Sequence, residues 1–108
     1  MTDPGQDSPI ARLLKNKGLY DGRKVTLQGR VENLQFRFSQ RGNPYTIFRL
    51  RDRAARVRVY MRTHPTIAEG DSVQVSGTYH KERKVGRFTY RNEIEADQVV
   101  VLNKGGTP

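Results

Sequence analysis

The chain has 108 residues (12.4 kDa), one domain's worth, and Leu, Ile, Val and Phe make only 25 of them, so a core is possible but thin. It has no cysteine, which excludes a disulfide framework, a thiolate metal site and a thiol nucleophile, and no apolar run long enough to span a membrane as a helix. Twenty Lys and Arg against eleven Asp and Glu leave a net charge of +9 and a pI near 10.4, the balance of a protein that meets polyanions.

Residues 1–7 (MTDPGQD) are polar, with Pro and Gly, and read as a loose tail lacking a signal-peptide core; a soluble cytoplasmic protein is expected. Ser8 to Lys17 reads as a helix. Ser8 can accept from the free amides of the first turn, and Pro9 suits the first helical position. Ile10, Leu13 and Leu14 form one narrow apolar stripe, and Lys15 and Lys17 sit where the helix dipole favours cations. Gly18 is expected to end the helix in the left-handed conformation, with Leu19 folding back on the stripe. So short a helix, 8–18, must dock on something to persist.

From Lys24 the period becomes two. Val25, Leu27, Gly29 and Val31 share one face; then the phase slips, and Leu34, Phe36 and Phe38 are apolar at even positions. An extra residue near Glu32–Asn33 accounts for the slip, and a bulge there bends the strand. Residues 39–44 (SQRGNP) form a turn. Tyr45 to Leu50 is a second strand, with Phe48 and Leu50 opposite Tyr45, Ile47 and Arg49. After a turn at 52–54, Ala55 to Met61 is a third, with Val57, Val59 and Met61 inward and Arg56, Arg58, Tyr60 and Arg62 outward. Residues 63–70 connect, with one helical turn expected from Pro65. Asp71 to His80 is a fourth strand carrying Val73, Val75, Gly77 and Tyr79. Residues 81–87 (KERKVGR) read as a basic hairpin loop, and Phe88 to Leu102 as a fifth strand. Residues 103–108 read as a second loose tail.

Five strands in under ninety residues predict an all-β, five-stranded antiparallel Greek-key barrel with a short N-terminal helix. The long bulged first strand and the separate connector favour this over an SH3-like barrel. Gly29 and Gly77 read as tight points of a small curved barrel.

Several stretches resemble OB-fold nucleic-acid-binding domains. Residues 21–31 (DGRKVTLQGRV) are similar to the opening strand of that family, which often reads Gly-x-x-Val-x-Val-x-Gly-x-Val. Residues 41–52 (RGNPYTIFRLRD) look like its second strand and turn, 69–77 (EGDSVQVSG) like the entry to its fourth, and the closing stretch from Glu93 to Val101 like its last. The resemblance covers residues 20–102. It implies a binder of single strands or structured RNA, without catalysis or cofactor. The ligand would lie across the second and third strands between two loops. Placed by position, the face is Tyr45, Ile47, Arg49, Arg56, Arg58 and Tyr60. The first loop supplies Arg37, Gln40 and Arg41, and the second Lys81, Arg83, Lys84 and Arg87.

The residues alone support the same chemistry. Residues 35–62 hold eight Arg and one acid, for a net +7. Single-strand binding needs cations along a groove and flat rings for unstacked bases, and period two interleaves Arg56, Arg58, Tyr60 and Arg62 on one strand face beside Tyr45 and Arg49 on the next. Glu93, Glu95 and Asp97 alternate along strand five, next to strand three; they can pair with Arg56 and Arg58 and neutralise part of the patch, or leave those arginines free, and they lack the further ligands of a metal site. His64 and His80 are isolated, with no nucleophile or phosphate loop beside them. The expected partner is nucleic acid, single-stranded rather than duplex, DNA or RNA; the second reading is a protein partner on the basic face or a free strand edge.

Overall fold

In the computed structural model, which describes residues 8–105, the Ser8 hydroxyl accepts from the Ala11 amide (3.1 Å) and caps helix α1 (Pro9–Lys15). Ile10 and Leu13 are buried in the barrel core, which is the docking so short a helix requires. The chain breaks at Asn16, whose carbonyl accepts from Leu19 (3.0 Å) and Tyr20 (3.2 Å), and continues as α2 (Lys17–Tyr20). Two expectations are thereby corrected. Gly18 lies inside α2, and the positive φ falls on Gly22 (80°) instead. Leu19 is 57% exposed, because the restarted turn presents the larger Tyr20 to the core in its place.

Strands β1 (Lys24–Phe38), β2 (Pro44–Arg51), β3 (Arg56–Met61), β4 (Ser72–Val85) and β5 (Phe88–Asn103) close a barrel in the order β1-β2-β3-β5-β4, with β4 returning to β1. Pairing is antiparallel except between β3 and β5, which run parallel, so the barrel is mixed rather than wholly antiparallel. Strand β1 serves both sides: Lys24–Arg30 pairs with β4, and the stretch from Arg30 to Phe38 pairs with β2. The expected bulge is present as a register shift between Glu32 and Gln35, with Asn33 at φ 53°. Its freed amides are satisfied from the connector, where the Glu69 carboxylate accepts from Asn33 (3.0 Å) and Leu34 (2.9 Å). That connector contains no helical turn at Pro65; Ile67 plugs it into the core instead.

The core is the predicted inward set, Val31, Phe48, Leu50, Val57, Val59, Val73, Val75, Tyr79 and Ile94, with Met61 only partly buried. Gly29 and Gly77 are the tight points: an added Cβ would lie 2.6 Å from the Arg51 carbonyl oxygen and 2.2 Å from that of Glu95.

Residues 81–87 are not a loop. Strands β4 and β5 stay paired out to Val85 and Phe88, closed by a tight turn in which Gly86 takes φ 60°. Val85, Phe88, Thr89 and Tyr90 favour strand, so the pairing continues beyond the barrel as a ribbon. Asn92, at φ 55°, separates ribbon from barrel and accepts from the Tyr79 hydroxyl (2.9 Å). This break is why Phe88 and Tyr90 stay outside the core while Glu93 and Ile94 are both buried. Asn103 ends β5, and beyond it the Gly105 amide (2.9 Å) and Lys104 ammonium (3.4 Å) bind the buried Asp71 carboxylate, so 103–105 are tied down rather than loose. The tail expected over 1–7 and the remainder of the second, 106–108, lie outside the described residues.

Candidate functional site

Period two sends Tyr45, Ile47 and Arg49 of β2 outward, and the β2–β3 register sets Ile47 against Tyr60 and Arg49 against Arg58. Tyr45 and Tyr60 lie diagonally, ring centres 5.8 Å apart. The ribbon rises beside this face and turns Arg83, Val85, Phe88 and Tyr90 toward it, Arg83 opposite Tyr90 and Val85 opposite Phe88. Between ribbon and sheet runs a groove of about 490 Å³, lined also by Arg37, Ser39 and Gln40 of the β1–β2 hairpin. A second hollow of about 440 Å³ adjoins it at Ile47 and Arg58 and extends past Arg49 to Asn33 and Glu69 at the bulge.

The groove is built from rings and guanidiniums in alternation. The Arg83 guanidinium carbon is 4.8 Å from the Tyr60 ring centre and 5.3 Å from that of Tyr90, and Arg58 stands 5.2 Å from Tyr90. Beneath them lies Glu93, fully buried. Its carboxylate accepts from Arg58 Nε (2.7 Å) and from Arg83 Nε (2.9 Å) and Nη2 (2.6 Å). The parallel β3–β5 pairing places Glu93 beside Arg58, and the ribbon supplies Arg83. Three arginines against this one carboxylate leave the groove two positive charges in excess.

The structure thus brings together Arg37, Tyr45, Ile47, Arg58, Tyr60 and Arg83 of the residues predicted for the site, with Arg49 in the adjoining hollow. Arg62 flanks Tyr45 and Tyr60 at the groove's end and pairs with Glu95 (3.2 Å). The others lie off the groove wall. Arg56 is at the far end of β3, 4.0 Å from Glu32, which also binds Arg51. Arg41 is exposed in the β1–β2 turn. Lys81 and Lys84 are exposed on the ribbon, Lys84 on its opposite side next to Glu82 (3.8 Å), and Arg87 occupies the tip, 5.8 Å over Phe88. Of the two arginines weighed as partners for the strand-five acids, Arg58 pairs with Glu93 while Arg56 lies near Glu32 instead; Glu95 binds Arg62 and Asp97 binds Lys24. Tyr90, Phe88 and Val85 are groove residues that period two alone assigns to core or loop; the polar Asn92 interrupting the apolar series was the available signal.

Neither histidine takes part. His64 Nε2 donates to the Arg37 carbonyl (2.8 Å), and the ring packs edge-on against Phe36 and Phe38 (5.2 and 4.9 Å). His80 lies next to Glu95 on the barrel wall (3.8 Å).

No family model and no curated protein matches the sequence. Solved structures do match the fold. The mitochondrial single-stranded DNA-binding protein Rim1 of Saccharomyces cerevisiae superposes with a TM-score of 0.58 at 17% identity, over 79% of this chain and 100% of its own. The small single-stranded DNA-binding protein of Streptomyces coelicolor gives 0.55 at 21%, over 74% and 92%. An OBody solved bound to hen egg-white lysozyme gives 0.64 at 23%, over 95% and 100%. The chain has the OB fold. On this OB barrel the groove lies across β2 and β3, bounded by the β1–β2 hairpin and the β4–β5 ribbon, the surface the sequence resemblance implied.

Proposed function

We propose that this OB barrel is a binding module for single-stranded nucleic acid, DNA or RNA, without catalysis of its own. The observation that carries the reading is the groove: Tyr45, Tyr60 and Tyr90 offer ring faces to unstacked bases, and Arg37, Arg58 and Arg83 stand between and beside them with positive charge in excess of Glu93. Stacking needs no particular base, so modest sequence preference is expected. The single-stranded DNA-binding neighbours support the reading. The test is a titration of labelled single-stranded DNA, single-stranded RNA and duplex at two salt concentrations. Single strands should bind more tightly than duplex, and less tightly in high salt. Equal or absent binding of all three overturns the proposal.

One observation favours a protein partner instead. The OBody shares the fold and is bound to a protein, and Phe88 and Val85 at the ribbon are 57% and 46% exposed. Indifference to every oligonucleotide in the same titration would leave that reading standing.

A further inference from the structure

A carboxylate buried beneath a polyanion site looks like a defect, since it cancels charge the ligand needs. Glu93 is nevertheless the most buried charged group of the groove, at 0% exposed. Burying a carboxylate costs desolvation that only good pairing offsets, and here both oxygens are engaged, one by Arg58 and one by two nitrogens of Arg83. The consequence falls on the arginines. An arginine on an open strand face samples many rotamers and must give up that freedom when a ligand fixes it. Arg58 and Arg83 are held already by Glu93, Arg58 over the Tyr90 ring and Arg83 over those of Tyr60 and Tyr90. Glu93 engages only Nε of Arg58, so its Nη groups have no hydrogen-bond partner among the described residues and remain for a ligand.

We infer that Glu93 is the positioning residue of the groove: it locks Arg58 and Arg83 as flat platforms for the bases of a single strand, so that an acid strengthens binding to a polyanion. This rests on the reading of the groove as a single-strand site. It also reverses the sign that charge alone predicts. Glu93→Gln makes the protein one unit more positive, and an acid that merely neutralised the face would, once removed, let the strand bind more tightly.

The experiment titrates the full chain with an oligothymidylate and with an abasic strand of equal length, which keeps the phosphates and lacks the bases. Glu93→Gln should weaken oligothymidylate binding about tenfold, within the range that one stacked base supplies. Binding of the abasic strand should hold or tighten. The Nε–H resonances of Arg58 and Arg83, protected from solvent exchange in the wild type, should exchange rapidly in the variant. Oligothymidylate binding at or above the wild-type level, or persistent Nε–H protection, overturns the inference. Should Glu93→Gln not fold, Arg83→Lys decides: it keeps the charge and loses the planar fork. A loss confined to the base-bearing strand supports positioning; equal loss on both strands, or none, overturns it. A wild-type protein that binds neither strand removes the single-strand reading itself, whereas wild-type binding with Glu93→Gln at parity removes the positioning role alone.

Discussion

Tyr60 has the Tyr45 ring centre 5.8 Å away and the Arg83 guanidinium carbon 4.8 Å away, on a strand whose inward residues are Val57 and Val59. If a base stacks on its ring, Tyr60→Ala should weaken single-strand binding by about 1–3 kcal/mol, while Tyr60→Phe, which keeps the ring face, should cost little. Affinity read beside melting temperature checks this, because the outward ring contributes little to the core; normal binding by Tyr60→Ala would leave charge alone to hold the strand. Asp52 acts on stability instead. Its carboxylate accepts from the Ile10, Ala54 and Ala55 amides, each at 3.0 Å, and so ties α1 to the β2–β3 turn. Burial pushes its pKa up, but the amides of Ala54, Ile10 and Ala55 and the Ser8 hydroxyl outweigh this and hold it below the usual carboxylate value. Asp71 is held low as well, by the Gly105 and Ala68 amides and then by Lys104. A depressed carboxylate stabilises the fold above its unfolded pKa, and that contribution is lost as pH falls through the folded one. Stability should therefore be level from neutrality to about pH 5 and fall below about pH 4. Asp52→Ala should cost about 1–3 kcal/mol at neutral pH by stranding its amides, and should leave a shallower acid decline, the Asp71 share. Urea titrations at neutral and acid pH measure both; an unchanged acid limb would contradict the assignment.

At the scale of elements, the glycines of the barrel and of the helix predict opposite signs. Gly77 sits at the register shift in the β4–β5 pairing, and an alanine methyl there would press on the Glu95 carbonyl, a backbone atom that moves only if the strand pairing moves. Gly77→Ala should destabilise by about 1–3 kcal/mol or more, the range for overpacking. Gly18 lies within α2, has a negative φ and has open space around it. Gly18→Ala should stabilise by about 0.5–1 kcal/mol, through backbone entropy and helix propensity. A pair of urea melts tests both, and the tight approach at Gly77 is contradicted if its alanine variant is neutral.

Across the whole molecule, the +7 stretch of residues 35–62 is less naked than its composition implies. Glu32, Glu93 and Glu95 reach Arg51, Arg58 and Arg62, all of that stretch, from other strands or from a sequence segment beyond it. Arg37 and Arg49 have no acidic partner among the described residues. Single-strand affinity should fall with salt at a slope of about −0.7 per phosphate neutralised. Arg83→Ala should shallow that slope by at most about one such increment. Lys84→Ala should leave it nearly unchanged, since Lys84 lies on the far side of the ribbon next to Glu82. Equal effects of the two substitutions would mean that the strand does not follow the groove.

Read from residues alone, period two is a local property, and it correctly divided β2 and β3 into an inward set (Phe48, Leu50, Val57, Val59) and an outward set (Tyr45, Ile47, Arg58, Tyr60). The phase slip after Val31 located the bulge for the same reason, and the alternation through Gly29 and Gly77 marked the barrel's tight points. What escaped such reading depends on contacts between distant segments. The break at Asn16 follows from how α1 docks, and the ribbon from cross-strand pairing that turns a stretch rich in Lys and Arg into paired strand. Tyr90 entered the groove because Asn92 resets the phase of β5, a single backbone angle that leaves almost no trace in hydrophobic pattern. The clamp on Glu93 joins one residue ten positions away and another thirty-five away, across strands whose parallel and antiparallel registers are set only by closing the barrel. Composition determined that this chain carries an excess of cations, and period two which strand face bears the rings; tertiary structure decided which arginines an acid holds in place, because ion pairing depends on distance in space and not along the chain.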